Sequence, residues 1–305
     1  MDTQTLIHRI KKLKKEKNAL IVAHYYVKEE IQELADYVGD SYYLSKICKE
    51  REEKHIIFCG VKFMGESAKI LNPEKQIMMA SCKSDCPMAH MITVNQIETV
   101  KRQYKDLAVV CYINSTAEIK ACADIVVTSS NAYRIISQLK EKNIFFVPDA
   151  QLGQYLMKQF PDKHFILDSG YCYVHTSITR EEVEKLKVAY PKAKVLVHPE
   201  CLLEVVDMAD YVGSTAGMIQ YATKSKEKEF IICSETGILY ELKKKNPHKV
   251  FYTVGTACTC TDMKQITLQD VYDALTLYSS VDIQLDERIA KKARHALVRM
   301  HELGG

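Results

Sequence analysis

Long apolar runs and a large charge surplus are both missing from this sequence of 305 residues. The apolar runs extend over only a few residues, so we expect no segment that crosses a lipid bilayer. Lysine and arginine number 42 against 39 acidic residues, and a net charge of +3 indicates neither a nucleic-acid-binding surface nor a membrane-surface protein. We therefore expect a globular protein with no nucleic-acid or membrane partner.

Several common motifs are missing as well. The sequence contains no Gly-x-x-x-x-Gly-Lys segment of a P-loop and no Gly-x-Gly-x-x-Gly fingerprint, so nothing indicates ATP or dinucleotide use. A Gly-x-Ser-x-Gly nucleophile elbow is also missing. No apolar segment of a secretory signal follows the lysine-rich start, residues 1–18. We expect a cytoplasmic protein in a reducing compartment.

Cysteine, by contrast, is abundant, with 11 residues. An odd number cannot pair completely within one chain, and a reducing compartment keeps thiols free. We expect many of these cysteines to be small buried apolar side chains. The question for function is whether a few of them bind a metal or act as nucleophiles.

One pattern occurs three times along the chain. The segments Ala-Asp-Tyr-Val-Gly-Asp-Ser, Ala-Asp-Ile-Val-Val-Thr-Ser and Ala-Asp-Tyr-Val-Gly-Ser-Thr start at residues 35, 123 and 209, which are 88 and 86 residues apart. One short apolar run with a polar end precedes each segment, and a second apolar run follows it. This period is too long for a solenoid and is typical of small domains in tandem.

The local patterns predict an α/β fold. Runs of four to six apolar residues bounded by turns are typical of buried parallel strands. Helical patterns lie between them, for example at 30–38, 42–49 and 131–140. We expect three homologous three-layer α/β/α domains with parallel sheets in a pseudo-threefold arrangement, over residues 1–86, 87–172 and 173–267. The helical tail, 268–305, is expected to pack on the first domain.

Three cysteines follow the same period. Cys86, Cys172 and Cys260 are 86 and 88 residues apart, so a threefold arrangement would bring them together near its axis. Three thiolates can hold a [4Fe–4S] cluster that leaves one iron without a protein ligand. That iron would be a Lewis acid for an oxygen-bearing substrate. Zinc with three cysteines and a fourth ligand is one alternative, and buried thiols without metal are another.

Polar residues recur where the predicted first strand of each repeat ends. They are His24, Tyr25 and Tyr26, then Tyr112 and Asn114, then His198 and Glu200. Ligands of open α/β sheets bind beyond the carboxyl ends of the strands, so the recurrence favours one shared site. Glu200 is a candidate general base, and His198 is a candidate acid or orienting residue.

Hydroxyl-bearing turns open the helix that follows each repeated segment. They contain Ser41, Ser129, Ser214 and Thr215. Such residues are often plain N-caps. The exposed N–H groups of a helix start can also bind carboxylate or phosphate, which would suit a substrate that carries several such groups.

These motifs together resemble quinolinate synthase, the NadA family of NAD biosynthesis, over nearly the whole chain. Many members have His-Asn-Tyr where this chain has His24-Tyr25-Tyr26. The His-Tyr-Tyr form also occurs in the family, so we expect no loss of function. The resemblance is carried by Ala-His-Tyr-Tyr at 23–26, Gly-Asp-Ser at 39–41, Gly-Val-Lys-Phe-Met at 60–64, Cys-Pro-Met-Ala at 86–89, Tyr-Ile-Asn-Ser at 112–115, Thr-Ser-Ser-Asn at 128–131, Cys-Tyr-Val-His at 172–175, Val-His-Pro-Glu-Cys at 197–201, Gly-Ser-Thr at 213–215 and Cys-Thr-Asp-Met at 260–263.

The resemblance implies an oxygen-sensitive [4Fe–4S] cluster and the condensation of iminoaspartate with dihydroxyacetone phosphate to quinolinate, with loss of phosphate and water. It also raises the question of a functional link to L-aspartate oxidase. By position, the cluster ligands match Cys86, Cys172 and Cys260. The catalytic residues match Tyr26, Tyr112, His198 and Glu200, and the substrate-binding residues match His24, Ser41, Asn114, Ser129, Ser214 and Thr215.

Two other functions stay open at this stage. A zinc- or iron-dependent hydrolase or lyase could use the same three cysteines on the same scaffold. A non-catalytic anion-binding or redox-sensing protein is the third class. Cys82 and Cys258 lie near the expected ligands in the sequence, and they are candidates for a redox-sensitive disulfide or for a substitute ligand.

Overall fold

Three parallel sheets of four strands each form the framework of this computed structural model, which describes residues 2–255, 258–277 and 282–305. We call each sheet with its helices a unit. Unit 1 has strands β1 (Ala19–His24), β2 (Tyr37–Gly39), β3 (His55–Cys59) and β4 (Gln76–Met79). Unit 2 has β5 (Leu107–Tyr112), β6 (Ile125–Val127), β7 (Asn143–Val147) and β8 (His164–Leu167). Unit 3 has β9 (Lys194–Val197), β10 (Tyr211–Val212), β11 (Glu229–Cys233) and β12 (Val250–Thr253).

Helices alternate with these strands along the chain. Those of unit 1 are α1 (Thr3–Glu16), α2 (Glu29–Leu34), α3 (Ser41–Glu50) and α4 (Lys62–Leu71). A 3-10 turn (Pro87–His90) leads to α5 (Val94–Gln103), α6 (Ala117–Ala121), α7 (Ala132–Ile136) and α8 (Ala150–Gln159). Then follow α9 (Tyr173–Thr176), α10 (Arg180–Ala189), α11 (Leu203–Val206), α12 (Thr215–Lys224) and α13 (Ile238–Lys245). The last helices are α14 (Thr261–Lys264), α15 (Leu268–Thr276) and α16 (Glu287–Gly304). Among the described residues, no helix has the length and hydropathy needed to cross a bilayer.

The three sheets share one strand order. In each, the second strand of the unit is at the edge, followed by the first, the third and the fourth, and every pairing is parallel. Ile21, Val109 and Val195 lie in the central strands and are completely buried, which explains why these strands are apolar throughout. The topology confirms the predicted three-layer α/β fold with three homologous domains. The domain limits at residues 86 and 172 stay a prediction.

The aspartate of the repeated segment has a structural role. Its carboxylate accepts a hydrogen bond from the backbone N–H of the neighbouring central strand in all three units, and its own N–H donates back to the same residue. The carboxylate bonds join Asp36 to Ile21 (2.9 Å), Asp124 to Val109 (2.7 Å) and Asp210 to Val195 (2.8 Å). This pairing aligns the short edge strand with the central strand, and it explains why Ala-Asp recurs.

The tail and two helices differ from the sequence-based expectation. The pattern at 30–38 contains two elements, because α2 ends at Leu34 and Val38 belongs to β2. The pattern at 131–140 contains a helix only over Ala132–Ile136. In the tail, α15 packs on α1 and β3 of unit 1, as expected for the tail. Helix α16 instead packs mainly on α6 and β6 of unit 2, and it also contacts α4 of unit 1, because its small and apolar face fits the groove between them.

Candidate active site

One cavity is lined by side chains from all three units. It lies at the carboxyl ends of the central strands, as expected for open α/β sheets. The predicted site residues that line it are His24, Tyr26, Ser41, Cys86, Tyr112, Asn114, Ser129, Cys172, His198, Glu200, Thr215 and Cys260. Ser214 does not line this cavity: its hydroxyl caps α12 by accepting from the Gly217 N–H at 3.1 Å, and it faces an adjoining cavity.

The three periodic cysteines occupy equivalent positions. Cys86, Cys172 and Cys260 each immediately precede a short helical turn, and all three are free thiols that line the cavity. Burial raises the pKa of Cys172, and the charges of Glu200 and Cys86 raise it further. Burial and the neighbouring Cys260 likewise raise the pKa of Cys86. Each thiolate disfavours ionisation of its neighbours, and a bound cation would offset this effect and stabilise all of them as thiolates.

The spacing of the possible metal ligands is informative. Among the described residues, the one group of at least three ligand atoms that all lie within 4.8 Å of one another is Cys172, His175 and Glu200. His175 connects the other two side chains, because its Nδ1 lies 3.2 Å from Cys172 Sγ and 2.7 Å from Glu200 Oε2. The three cysteines do not form so tight a group, although thiolates on one zinc ion would be only about 3.8 Å apart, because each Zn–S bond is about 2.3 Å.

Glu200 lies at the centre of a buried polar network. Its Oε1 accepts a short hydrogen bond from the Tyr112 hydroxyl, and its Oε2 faces His175 and, at 3.9 Å, His198 Nδ1. Burial alone would raise the pKa of Glu200, but His175, His198 and the Tyr112 hydrogen bond together lower it to about 2. Glu200 is therefore a carboxylate at neutral pH, as a general base must be.

Two buried histidines of the cavity, His24 and His198, have lowered pKa values. Burial lowers the pKa of His24 to about 3, and the charge of Lys264 adds to this effect. Burial and the neighbouring His175 lower the pKa of His198 to about 3 as well, and the rings of these two histidines stack at 4.4 Å. A neutral imidazole accepts and donates hydrogen bonds but has no extra proton to give. This favours the orienting role for His198 over the acid role.

Two tyrosines keep their protons in the cavity. Burial raises the pKa of both Tyr26 and Tyr112 well above the ordinary value. The Tyr26 hydroxyl of unit 1 lies 2.7 Å from Thr215 Oγ1 and 3.1 Å from Ser234 Oγ, both in unit 3. Both phenols are therefore available as proton or hydrogen-bond donors next to the cavity.

Asp149 is a further buried acid near this network. It is 0% exposed, and its Oδ1 accepts from the Leu152 N–H at 2.7 Å as the N-cap of α8. Its Oδ2 has no hydrogen-bond partner among the described residues. Burial raises the pKa of Asp149 well above the ordinary value, and the charge of Glu200 adds to it. The surroundings of Asp149 thus favour its protonated form, whereas those of Glu200 favour the carboxylate.

Sequence reasoning missed four residues that lie in or beside the cavity: His175, Ser234, Glu235 and Asp149. His175 follows Cys172 by three residues, the spacing of one helical turn, and this spacing could have indicated a shared site. Asp149 and Glu235 follow equivalent strands, β7 and β11, and a register comparison of the repeats could have found them. Ser234 gives no signal of its own in the sequence.

The two spare cysteines lie outside the cavity lining. Cys82 is exposed and Cys258 is buried, and both are free thiols. The Cys258 thiol donates to the carbonyl of Val254 at 2.8 Å, within its own loop. In this arrangement neither thiol replaces one of the three cysteines of the cavity.

Known proteins match this chain along its length. A family model described as "Quinolinate synthetase A protein" matches residues 8–302. A quinolinate synthase from Caldicellulosiruptor bescii is 51% identical over 304 residues, which cover 100% of both chains. Quinolinate synthases from Clostridioides difficile and Fusobacterium nucleatum are each 52% identical, over 98% and 97% of this chain and 98% and 99% of their own length. The chain, an enzyme by this kinship, therefore belongs to the quinolinate synthetase A family.

Proposed function

We propose that this protein condenses iminoaspartate with dihydroxyacetone phosphate to form quinolinate, and that Cys86, Cys172 and Cys260 hold a [4Fe–4S] cluster for this reaction. The observation that carries the proposal is that one thiol from the same position of each unit lines the cavity that also contains the Glu200 and Tyr112 pair. Membership of the family supports the product, and the cavity supports the assignment of roles.

The donor set fits a cluster better than a single zinc ion. The irons of a cluster occupy separate corners, so its thiolates can stand farther apart than those on one ion. The tight group formed by Cys172, His175 and Glu200 supports the zinc alternative less well, because its members already satisfy one another by hydrogen bonds. The iron without a protein ligand would supply Lewis-acid activation of a substrate oxygen.

The overall reaction closes a ring and needs several proton transfers. One carbon–carbon bond and one carbon–nitrogen bond form, while one phosphate and two waters leave, which balances the atoms. Glu200 is the base that removes a proton from the condensing substrates, because it is ionised and buried. Tyr112 donates its hydroxyl hydrogen to Glu200 in the free site and is placed to return a proton to a departing oxygen.

The remaining residues bind and orient. Hydroxyls of Ser41, Ser129 and Thr215 come from the three units and are assigned to the carboxylate and phosphate groups of the substrates. Neutral His24, Asn114 and neutral His198 orient the substrates by hydrogen bonds. Tyr26 donates a hydrogen bond from unit 1. Ser214 makes no direct contact with the substrates in this proposal, since it faces the adjoining cavity. Holding both substrates in one cavity supplies the orientation that a two-substrate condensation requires.

The cellular context is also part of the proposal. Iminoaspartate hydrolyses in water, so an enzyme that oxidises aspartate, an L-aspartate oxidase, is the expected source of this substrate. All the cysteines of the structure are free, which suits a reducing compartment, and we place the protein in the cytoplasm.

The metal content of cysteine variants tests the ligand assignment. Iron and acid-labile sulfide would be measured per chain after anaerobic purification of the wild type and of Cys86→Ser, Cys172→Ser and Cys260→Ser. We expect about four of each in the wild type and a loss in every variant. Cys258→Ser is the matched control and should keep the wild-type content. Zinc without sulfide in the wild type would replace the proposal with the hydrolase or lyase alternative.

Turnover of Glu200→Gln tests the catalytic role. The assay would follow quinolinate formation from iminoaspartate, generated in the cuvette, and dihydroxyacetone phosphate. We expect turnover to fall at least about 100-fold with the iron content unchanged, because a general base typically contributes that much. Equal turnover of the wild type and Glu200→Gln would contradict the proposal. A wild type that binds iron but forms no quinolinate would favour the non-catalytic sensing function.

A further inference from the structure

An ion pair between a buried carboxylate and a partly exposed lysine lies beside the cavity. Glu235 is 0% exposed and lines the cavity, and its Oε1 lies 3.4 Å from Lys264 Nζ. A pair of this kind stabilises a fold only weakly, because the carboxylate of Glu235 must leave water to form it. Its place next to the site therefore calls for an account other than stability.

The two partners contact different halves of the site. Glu235 Oε1 also accepts from the backbone N–H of Cys260, at 3.1 Å. Lys264 Nζ donates to the backbone carbonyl of Tyr26, at 2.7 Å. The pair thus connects a cysteine of the proposed cluster in unit 3 with the backbone of Tyr26 in unit 1.

The loop that carries Glu235 also approaches the end of β1, next to Tyr26. Gly237 accepts a hydrogen bond from Gln32 at 3.2 Å, and Gln32 also donates to the Tyr25 carbonyl at 2.8 Å. A β-carbon on Gly237 would lie 2.6 Å from the Tyr25 carbonyl oxygen and 2.7 Å from Tyr26 Cα. The glycine therefore allows a direct backbone contact between unit 3 and the end of β1.

The ion pair is specific to one of the three units. Glu235 lies two residues after the last residue of β11 that pairs with β9. The equivalent positions after β3 and β7 are Val61 and Asp149. The equivalents of Lys264, four residues after each periodic cysteine, are His90 and Thr176. Units 1 and 2 form the same fold although neither has both an acid and a lysine at these two positions. The pair is consequently not a requirement of the architecture.

We infer that Glu235 and Lys264 are positioning residues that couple the metal-binding loop at Cys260 to the placement of Tyr26. The inference deepens the proposed function and rests on it for the identity of the bound group. With the metal group in place, the Cys260 loop fixes Glu235, which fixes Lys264 and the Tyr26 backbone. The Tyr26 hydroxyl is then held against Thr215 and Ser234.

Two readouts test the pair. The first is the rate at which iron is lost to a chelator under anaerobic conditions without substrate, measured on the wild type, Glu235→Gln, Lys264→Met and the double variant. We expect Glu235→Gln to lose iron about tenfold faster, since outer-shell partners of metal ligands typically have effects of this size. The second is the steady-state quinolinate assay. We expect Lys264→Met to lower kcat by about 10- to 100-fold, with a smaller change in KM, because Tyr26 is displaced but the binding hydroxyls are not.

The double variant separates positioning from charge balance. Lys264→Met leaves the buried charge of Glu235 without this partner and can fail to fold for that reason alone. The double variant removes both charges and should fold, with a melting temperature near that of the wild type, while still losing iron faster and turning over more slowly. If it regains wild-type iron retention and kcat, the pair only balances charge and the inference is wrong.

A control and a separate outcome complete the experiment. Lys158→Met breaks an exposed ion pair between units 2 and 3, Lys158 to Asp207 at 2.8 Å, and should change neither readout. A wild type that forms no quinolinate would overturn the proposed function. Iron loss does not depend on that reaction, so faster loss in Glu235→Gln would still support the link to Cys260, and unchanged loss would overturn it.

Discussion

Glu200 and Asp149 are two buried carboxyl groups within electrostatic range of each other, yet their pKa values are shifted in opposite directions. Glu200 has two histidines and a tyrosine hydroxyl around it, whereas one oxygen of Asp149 has no partner among the described residues. The difference in local hydrogen bonding is enough to separate the ionisation of neighbouring acids. The surroundings therefore favour ionisation of Glu200 and protonation of Asp149.

The Tyr112 hydroxyl is the residue-scale feature that is easiest to remove without disturbing the packing. In Tyr112→Phe the hydrogen bond to Glu200 is lost and no proton donor replaces it. We expect kcat for quinolinate formation to fall about 100- to 10,000-fold, the range for loss of a general acid or base. Single-turnover kinetics would measure the effect. Tyr133→Phe, at a tyrosine that is 58% exposed, should behave as the wild type.

His301 on α16 gives a prediction about pH. Its ring stacks on Tyr42 and its Nε2 lies 3.2 Å from Ser45 Oγ. Burial lowers the pKa of His301 from 6.5 to about 4, and Lys49 and Lys46 add to the effect. The unfolded chain therefore binds a proton before the folded chain does, so stability is present above pH 6.5 and is lost as the pH falls toward 4.

The loss is measurable by urea unfolding at pH 7, 6, 5 and 4. After a discount for the partial exposure of the ring, we expect His301 to account for about 1–2 kcal/mol of the decrease. His301→Gln, which can still bond to Ser45, should lack this part of the pH dependence. His8→Gln on the exposed face of α1 should keep it. Identical profiles for the wild type and His301→Gln would contradict the assignment.

At the scale of elements, a lysine staple recurs in each unit. The lysine lies just before the fourth strand of its unit. Its ammonium donates to two backbone carbonyls at or after the end of α3, α7 or α12, the helix that follows the second strand of the same unit. The bonds are those of Lys75 to Cys48 and Arg51 (2.6 and 2.5 Å), Lys163 to Leu139 and Glu141 (2.8 and 2.9 Å), and Lys249 to Ala222 and Ser225 (2.5 and 2.7 Å). The staple satisfies backbone carbonyls at the ends of α3 and α12 and in the segment that follows α7.

Removing one staple should weaken its unit. Lys163→Met leaves the carbonyls of Leu139 and Glu141 without their donor, and we expect a loss of about 1–3 kcal/mol in the free energy of unfolding. Chemical denaturation would measure it. Lys187→Met replaces an exposed lysine on α10 and should change stability by less than about 0.5 kcal/mol. Equal losses in both variants would show that the staple adds nothing.

Sequence patterns predicted some elements better than others. The central strands were predictable because long buried runs such as Ala19–His24 have no polar interruption. The edge strands were not, because β2 and β10 have only three and two residues, too few to show alternation. The position of α16 was not predictable either, since its apolar face fits either of two units. In the site, periodicity indicated the cysteines, but Asp149 and Glu235 depend on contacts between distant loops.

At the scale of the whole molecule, the proposed cluster lies where one turn from each unit faces the cavity. Removing iron anaerobically should therefore affect all three turns together. We expect faster amide hydrogen exchange at residues 86–90, 172–176 and 260–264, and a lower melting temperature, because a group bound only by the folded chain stabilises it. Residues near the Lys163 staple should exchange as before. A change confined to one turn would contradict a ligand set shared by three units.

The distribution of the three cysteines along the chain also has a consequence for how the protein is made. Cys86 and Cys260 are separated by more than half of the chain of 305 residues. A ribosome that has released units 1 and 2 still holds back the third thiol, so the prosthetic group has no complete receptor until the last unit emerges. Loading must then follow translation, and a chain truncated within its third unit would lack both Cys260 and the helices α15 and α16 that pack on units 1 and 2.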